Sequence, residues 1–257
     1  MQHIIDLFNT HIGVLLQGTL ITIIIAALSS VLAMVFAIPT GLMRLSTLPL
    51  LRWIANVYVE SIRGTPLFLQ LYAVFFGVRI FLITQFHYNL DTAIFSLFTS
   101  LNSNSLLENF PFKVGDNPIS PSTLVFAVIA LSFNYGAYLS EVVRAGVQAV
   151  DRGQAEAADS LGLSWFQKTR FVILPQALRL MIPPFTNYFI TLVQDTSLLS
   201  AITVVELSQA VQLSITGNSG PGDRWVFYII ELIFYFAICY CLAIAARRTE
   251  RRFAKAG

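Results

Sequence analysis

EAADSLGLSWFQKTRFVILPQALR, residues 156–179, is the most polar long stretch in a chain that is otherwise strongly apolar. Residues 154–161 are predicted to form a short helix, since this stretch begins with good helix formers. Ala158, Leu161 and Trp165 recur at helical spacing, which predicts that they share one face. The stretch therefore reads as a compact helical insert between two apolar runs.

The end of this insert is marked by two residues with special backbone conformations. Gly162 is expected to stop the helix as a left-handed cap, and Pro175 marks the return of the chain to an apolar segment. Such a helix can lie on lipid or dock into a groove of a partner protein. Glu156 and Asp159 lie near its start and the helix itself has no basic residue. This charge pattern disfavours anionic lipid.

The composition of the whole chain indicates an integral membrane protein. The 257 residues have a mean hydropathy of +0.70 and are 12% charged. A soluble domain of this size needs far more charge to cover its surface. Several apolar runs also reach the length of about 20 residues that a helix needs to cross a bilayer. The net charge of +2 gives no indication of a nucleic-acid partner.

Five membrane spans are predicted, which makes the fold class all-α, in a single domain over residues 1–257. The predicted spans are 14–38, ending near Pro39 and Gly41, a segment within 50–83 that is too long and polar to be one simple span, 122–143, 180–205 and 225–246. An odd number of spans puts the two termini on opposite sides of the membrane.

The distribution of basic residues predicts the orientation. One arrangement gathers 13 of the 16 lysines and arginines on one side: Arg44, Arg52, Arg63, Arg144, Arg152, Lys168, Arg170, Arg179, Arg247, Arg248, Arg251, Arg252 and Lys255. Basic residues favour the cytoplasmic side. The N-terminus is therefore expected outside and the C-terminus inside. Loop 146–176 is then cytoplasmic, and loop 84–121 is extracytoplasmic.

The sequence lacks the common patterns of catalytic and cofactor sites. It has no Gly-Lys pair and so no lysine-bearing phosphate loop. HExxH, GxSxG and metal-spaced Cys and His are also missing. The chain is therefore predicted to be no enzyme and to hold no cofactor or metal. Energy for any work across the membrane has to come from a gradient or from a partner.

Polar residues within the apolar segments are candidates for a solute pathway, because polar groups at membrane depth are costly and usually face a bundle interior or a pathway. Glu141, like Glu60 and Arg144, has the alternative role of fixing helix packing. A pathway that holds both an arginine and an aspartate suits a zwitterionic solute. The candidate pathway residues are Arg63, Thr65, Gln70, Tyr138, Glu141, Asp195, Thr196 and Ser197.

The insert also resembles a known motif. It carries Glu-Ala-Ala at 156–158, then three residues before Gly162, and then nine residues before Val-Ile-Leu-Pro at 172–175. This pattern is similar to the EAA loop of binding-protein-dependent ABC importer permeases, in which the last block is Ile-x-Leu-Pro. The valine for isoleucine is the only departure.

Four further stretches resemble the polar amino-acid branch of that family. They are LLQGTLITI at 15–23, YVESIRGTPLFLQL at 58–71, AYLSEVVRAGVQAVDRGQAEAA at 137–158 and QDTSLLS at 194–200. The resemblance covers nearly the whole chain except loop 84–121, which is longer than this branch leads us to expect.

The resemblance implies a type I ABC importer permease for polar amino acids in a bacterial plasma membrane. It implies a second permease chain, identical or paralogous, an extracytoplasmic solute-binding protein, and two ATPase subunits that bind ATP and Mg²⁺. The residues implied to couple to the ATPase are Glu156, Ala157, Ala158, Gly162 and Leu163.

Three alternatives remain open from the sequence. A gradient-driven secondary transporter would predict inverted repeats with broken helices, and none is found. A membrane-embedded enzyme would need paired carboxylates, metal ligands or a nucleophile with its base. The same permease architecture could instead carry an opine, an oligopeptide or an osmolyte.

Overall fold

The computed structural model describes residues 2–86, 96, 113–115, 117–118, 121–218 and 222–255. This part of the chain is almost entirely helical, which confirms the predicted all-α architecture. The one sheet that it contains is a small antiparallel hairpin of two-residue strands. Most of loop 84–121 lies outside the described residues, so the predictions for it stay predictions.

The elements follow one another in a simple order. Numbered along the chain, they are α1 (Gln2–Leu45), α2 (Pro49–Arg63), α3 (Leu67–Tyr72), a π-helical segment (Ala73–Val78), α4 (Arg79–Phe86), β1 (Lys113–Val114), β2 (Asn117–Pro118), α5 (Pro121–Gln148), α6 (Arg152–Ser160), α7 (Trp165–Lys168), a second π-helical segment (Thr169–Ile173), α8 (Leu174–Asp195), a 3₁₀ segment (Thr196–Ile202), α9 (Leu207–Asn218) and α10 (Arg224–Lys255).

Three of the described helices are long and apolar enough to cross a membrane: Asp6–Leu45, Ser122–Gln148 and Arg224–Glu250. A fourth crossing results if Trp165–Ile202 and Leu207–Thr216, which meet at a bend of 43°, count as one span. The predicted count of five spans and the predicted orientation stay predictions.

The first helix is longer than predicted. It was expected to end near Pro39 and Gly41, but α1 continues through Pro39 to Leu45. Proline removes one helical hydrogen bond and so disfavours this continuation locally. Tertiary packing outweighs that preference, because the backbone at Gly41 lies so close to α5 that a Cβ there would be 2.7 Å from the Cβ of Val143.

Thr65 and Pro66 are predicted to break the helix that begins the segment within 50–83, because proline cannot continue a helix without loss of a hydrogen bond, and this break is confirmed. Helix α2 ends at Arg63, and Pro66 is the residue that precedes α3. The Thr65 hydroxyl donates to the Ser61 carbonyl oxygen at 2.9 Å. The apolar helix that follows, Leu67–Val78, is short. The segment 50–83 is thus no single straight helix.

The predicted span 180–205 is divided in the structure. Helix α8 begins earlier, at Leu174, runs through Pro183 and Pro184, and ends at Asp195. A 3₁₀ segment follows and ends at Ile202. The next residue, Thr203, caps it with a positive φ of 61°. Helices α5 and α10 begin within one residue of the spans predicted at 122–143 and 225–246. Both helices continue beyond the predicted ends of those spans.

The chain divides into two compact units. Unit 1 comprises Met1–Ser29, Pro66–Leu131 and Leu192–Cys239, and unit 2 comprises Ser30–Thr65, Ser132–Thr191 and Tyr240–Gly257. Unit 1 contains a buried apolar cluster made by α1, α9 and α10 around Leu15, Leu207, Val211, Ile215 and Phe227. Unit 2 contains close helix contacts at glycines, such as Gly136, where a Cβ would lie 2.7 Å from the Cβ of Phe36.

Candidate functional site

Helix α6 presents the Glu-Ala-Ala residues on the surface of unit 2. The residue before the helix, Asp151, is its N-cap, and the Asp151 Oδ1 accepts a hydrogen bond from the Gly153 N–H at 2.6 Å. Such an N-cap satisfies one of the donors that a helix start leaves free. Glu156 and Ala157 are exposed, while Ala158 is only 3% exposed and anchors the helix. The two outward residues are therefore available to a partner.

Gly162 ends α6 as predicted, with a φ of 72°. The Gly162 N–H donates to the Asp159 carbonyl oxygen at 3.0 Å, and the Leu163 N–H donates to that of Ala158 at 3.2 Å. This pair of bonds is the Schellman motif, which requires a left-handed residue at this point. A Cβ at Gly162 would meet nothing within 4 Å. The backbone conformation, and not lack of space, is what favours glycine here.

The prediction that Ala158, Leu161 and Trp165 share a face is wrong. Ala158 is buried, whereas Leu161 is 79% and Trp165 is 74% exposed. The reason is the left-handed turn at Gly162, since a spacing of three or four residues corresponds to one face only while the helix continues. Leu161 and Trp165 both lie outside α6.

The chain that returns from α6 is held against it by a salt bridge. The Lys168 Nζ donates to both carboxylate oxygens of Asp159, at 2.7 and 2.8 Å. Helix α7 begins with a capping box, in which Ser164 and Gln167 each accept a bond from the other's backbone N–H. These contacts hold α6 and α7 as one small folded unit at the surface.

Large apolar side chains are exposed on this small folded unit. Besides Leu161 and Trp165, Phe166 and Phe171 are exposed. Exposed apolar groups of this size mark contact sites for proteins or membranes. Beside them, a cavity of about 480 Å³ opens between the end of α5, the start of α6 and the returning chain; its lining residues are Val147, Gln148, Val150, Asp151, Arg152, Ala155 and Ile173.

The candidate pathway residues fall into both units. Arg63, Thr65, Tyr138 and Glu141 belong to unit 2. Of these, the structure brings Arg63 and Tyr138 together: the guanidinium carbon lies 5.5 Å from the centre of the Tyr138 ring. Glu60 and Arg63 are three residues apart on α2, a spacing that predicts an ion pair on one helix face. Within the described residues, Arg63 instead faces Tyr138 and forms no ion pair with Glu60.

Glu141 lies between two arginines. It forms salt bridges with Arg44 and Arg144, and the Arg44 Nε also donates to Oδ1 of Asn56 at 2.8 Å. The Glu141–Arg44 pair thus links α5 to α1, and the Arg44–Asn56 bond links α1 to α2. This environment favours the packing role for Glu141.

Gln70, Asp195, Thr196 and Ser197 belong to unit 1. Thr196 is buried, and its hydroxyl donates to the Val193 carbonyl oxygen at 2.7 Å. The Ser197 hydroxyl donates to that of Gln194 at 2.8 Å. Asp195 is half-buried at the last position of α8, next to the 3₁₀ segment. Segment α3, which carries Gln70, contacts this 3₁₀ segment, and the Tyr72 hydroxyl donates to the Ala201 carbonyl oxygen at 3.2 Å.

Two notable residues were missed from the sequence. Tyr188 of α8 has its ring centre 5.8 Å from that of Tyr138. Glu206, directly before α9, is fully buried and accepts hydrogen bonds from several groups of unit 1. The available signal for Glu206 was an acidic residue between two apolar helices, at a position typical of a helix cap. No comparable signal marked Tyr188.

Among the described residues there is also no cluster of His, Cys, Asp and Glu that could hold a metal ion.

The sequence and the structure of this chain are similar to those of known transport proteins. Residues 31–255 match the family described as binding-protein-dependent transport system inner membrane component. The chain is 39% identical to the L-cystine transport system permease protein TcyB of Bacillus subtilis, over 93% of this chain and 86% of that protein. It is 32% identical to the glutamine transport system permease protein GlnP of Escherichia coli K12, over 94% and 93% of the two chains.

Solved structures of similar proteins share the fold. A chain from the crystal structure of an amino acid ABC transporter with histidines superposes with a TM-score of 0.75 at 26% identity, covering 95% of this chain and 96% of that one. A chain of the MetNI methionine ABC transporter in an inward-facing conformation gives 0.65 at 20% identity, which supports the fold alone.

These matches agree with the lack of common catalytic motifs in the sequence. In ABC transporters the permease subunit forms the membrane part, and a separate subunit hydrolyses ATP. The chain belongs to the binding-protein-dependent transport system inner membrane components and is a permease subunit of an ABC importer for amino acids.

Proposed function

We propose that this chain moves a polar amino acid across a bacterial plasma membrane by alternating access. Five spans would place the N-terminus outside and loop 146–176 in the cytoplasm, in keeping with the basic residues concentrated on that side. Five helices are too few to enclose a pathway, so two permease chains, identical or paralogous, would form it together. An extracytoplasmic binding protein would deliver the solute.

The observation that carries this proposal is the geometry of α6. Helix α6 buries Ala158 and leaves Glu156 and Ala157 exposed, and the side chains of Leu161 and Trp165, in and after its Schellman turn, are exposed as well. An exposed short helix of this kind fits a groove of a partner protein. We assign the partner as the ATPase subunit, with Glu156, Ala157, Gly162 and Leu163 at the contact and Ala158 as the buried anchor.

The ATPase would drive transport through this contact. When two ATPase subunits bind ATP and Mg²⁺ and close on each other, they would draw the two α6 helices together. The salt bridge between Asp159 and Lys168 is one of the contacts that would link α6 to the chain that leads into α8. A shift of α6 would therefore reach the spans and open the pathway outward.

The pathway itself would be lined or gated by polar groups of the spans. Asp195 and Arg63 are the charged members, with Gln70, Tyr138 and Thr196 as polar ones. Thr65 and Ser197 would contribute hydroxyls at the helix breaks, where the backbone departs from the regular helix. Glu141, which is held by two arginines, would act at the edge of the pathway through helix packing.

The solute is expected to be a polar amino acid, and L-cystine is the first one to test. The support is the 39% identity to a permease named for L-cystine transport, together with the glutamine and arginine permeases among the other relatives.

The test uses the permease purified with its ATPase in lipid nanodiscs. ATP hydrolysis is measured with a panel of amino acids, each with and without the binding protein. Stimulation by one class of amino acid in the presence of the binding protein is the expected result. If no ATPase co-purifies and uptake follows an ion gradient instead, both the proposed coupling role of α6 and the proposed mechanism are wrong.

A further inference from the structure

Arg63 lies beside a candidate membrane span. It packs on Tyr138, which is in the candidate span Ser122–Gln148, about ten residues before its end. At 1.5 Å per residue this is about 15 Å along the helix. The guanidinium therefore lies alongside the span, and not in the loop with which the distribution of basic residues grouped it.

This guanidinium has no carboxylate partner within the described part of the chain. The salt bridges there involve other arginines and Lys168, and Arg63 is exposed. A charged group beside a membrane span is costly to expose to lipid, so such groups usually face a bundle interior or a water-filled cavity and pair with an opposite charge or with backbone carbonyls. The exposed side of Arg63 thus faces a space in which an anion is expected.

Two tyrosines complete the surroundings. Tyr138 lies under the guanidinium, and the Tyr188 ring is 5.8 Å from the Tyr138 ring at an angle of 40°. Both side chains are half-buried, so each is held in place by packing and still reaches the surface. Neither hydroxyl forms a hydrogen bond with the residues that the structure describes. Two hydroxyl donors and one guanidinium are thus available on the same surface of unit 2.

We propose that Arg63, Tyr138 and Tyr188 form the binding site for the carboxylate of the transported amino acid. The proposal rests on the function proposed above and specifies which part of the solute this site recognises. Stacking on Tyr138 holds the planar guanidinium by one face, through cation–π attraction, and leaves its N–H edges free. Those edges match a carboxylate, which can accept two parallel hydrogen bonds from an arginine.

A second source of the carboxylate is the other permease chain, in which an acidic side chain could pair with Arg63. The two sources share the same chemistry but differ in their consequences. A solute carboxylate makes Arg63 necessary for ligand binding, whereas a carboxylate of the second chain makes it necessary for pairing of the two permeases.

The test compares ligands that differ only in the carboxylate. The permease–ATPase complex in nanodiscs, without nucleotide or binding protein, is titrated with L-cystine and cystamine, L-arginine and agmatine, and L-glutamine and 4-aminobutanamide. The variants are Arg63→Gln, Arg63→Lys and Tyr188→Phe. Arg52→Gln is the matched control, because Arg52 is an exposed arginine of the same helix. Size-exclusion chromatography with light scattering monitors pairing of the permeases.

The wild type should bind the transported amino acid at least about tenfold more tightly than its amine, since hydrogen bonds between charged groups are worth that much or more. Arg63→Gln should remove this preference, and Arg63→Lys should restore part of it. Tyr188→Phe should weaken amino-acid binding by about two- to tenfold, as expected for loss of one hydrogen bond. Arg52→Gln should behave as the wild type.

Three results would overturn the proposal. They are an unchanged preference in Arg63→Gln, no carboxylate-dependent binding by the wild type at millimolar concentrations, and dissociation of the permease pair in Arg63→Gln. Failure of the proposed function is recognised separately, because then even the wild-type complex would show no stimulation of ATP hydrolysis by binding protein and amino acid.

Discussion

The Tyr235 hydroxyl donates a hydrogen bond to Oε2 of Glu206 at 2.7 Å, which joins α10 to the residue that precedes α9. Glu206 is fully buried, and its carboxylate also accepts from the backbone N–H groups of Ser208 and Gln209, each at 3.0 Å. The Thr22 hydroxyl of α1 is 3.3 Å from the same Oε2. One carboxylate thus caps α9 and connects three helices of unit 1.

Replacement of Glu206 should strongly destabilise the protein. In Glu206→Ala the buried donors of Tyr235 and of the α9 start lose their acceptor, which should cost about 3 kcal/mol. Tyr235→Phe removes the bond to Glu206 and the 3.3 Å contact of the same hydroxyl with Ser208 Oγ, and should cost about 1 kcal/mol. Thermal unfolding in detergent measures both, with Glu60→Ala at an exposed position as control. A Glu206→Ala protein as stable as Glu60→Ala would contradict the role of this carboxylate.

The close contact of α1 with α9 depends on Gly18. A Cβ there would lie 2.7 Å from the Cβ of Ala210 and 3.1 Å from the Glu206 carbonyl oxygen. Gly18→Ala should therefore lower stability by about 1–3 kcal/mol through overpacking. Gly13→Ala is the matched control on the same helix, since a Cβ at Gly13 meets nothing within 4 Å. Equal unfolding temperatures for the two variants would show that α1 and α9 are not so closely packed.

Gly162 should be required for coupling because of its left-handed conformation. Gly162→Val forces a β-branched residue to a φ of 72°, at a local cost of about 1–2 kcal/mol. ATP hydrolysis should then continue while amino-acid uptake is lost. Gly162→Asn should retain more uptake, because asparagine tolerates this conformation better. Fully coupled transport by Gly162→Val would refute the role.

The ion pair of Asp159 and Lys168 should stabilise the α6–α7 arrangement only modestly. Asp159 is exposed and Lys168 is half-buried, so a double-mutant cycle with Asp159→Asn and Lys168→Gln should give a coupling energy of about 0.2–1 kcal/mol, near the upper end of this range. Raising the salt concentration should reduce it further. The cycle is measured on thermal stability in nanodiscs at low and high salt. A coupling energy that is unaffected by salt would indicate that the pair is more shielded than its exposure suggests.

Asp195 should be needed for transport and dispensable for assembly. Asp195→Asn keeps the size of the side chain but removes a charge that is costly at membrane depth. Uptake should fall at least about tenfold or change its preferred amino acid, while the amount of co-purified ATPase stays at the wild-type level. Uptake equal to the wild type would remove Asp195 from the pathway.

Local signals in the sequence were enough to predict some features of the candidate site. Gly162 follows a helix-forming segment and precedes a polar return, so its left-handed cap was predictable from neighbouring residues alone. The shared face assigned to Ala158, Leu161 and Trp165 was wrong for a related reason. Helical spacing was extended across the glycine that changes the direction of the chain.

Contacts between distant parts of the chain could not be predicted in this way. The pairing of Arg63 with Tyr138 and the neighbouring Tyr188 joins α2, α5 and α8, which are far apart in sequence. Glu206 likewise meets groups of α1 and α10. Patterns in a single sequence describe each segment by itself and contain no information about contacts between distant segments.

The sequence by itself determined the membrane class, the break at Thr65 and Pro66, and the cap at Gly162, because these depend on run length and backbone preferences within a few residues. The tertiary structure alone decided that α1 continues through Pro39, that Gly18 meets α9, and which partners surround Arg63 and Glu206. The physical reason is that close packing and buried charges depend on neighbours brought together only by folding, and their energies exceed the local preferences of a single helix turn.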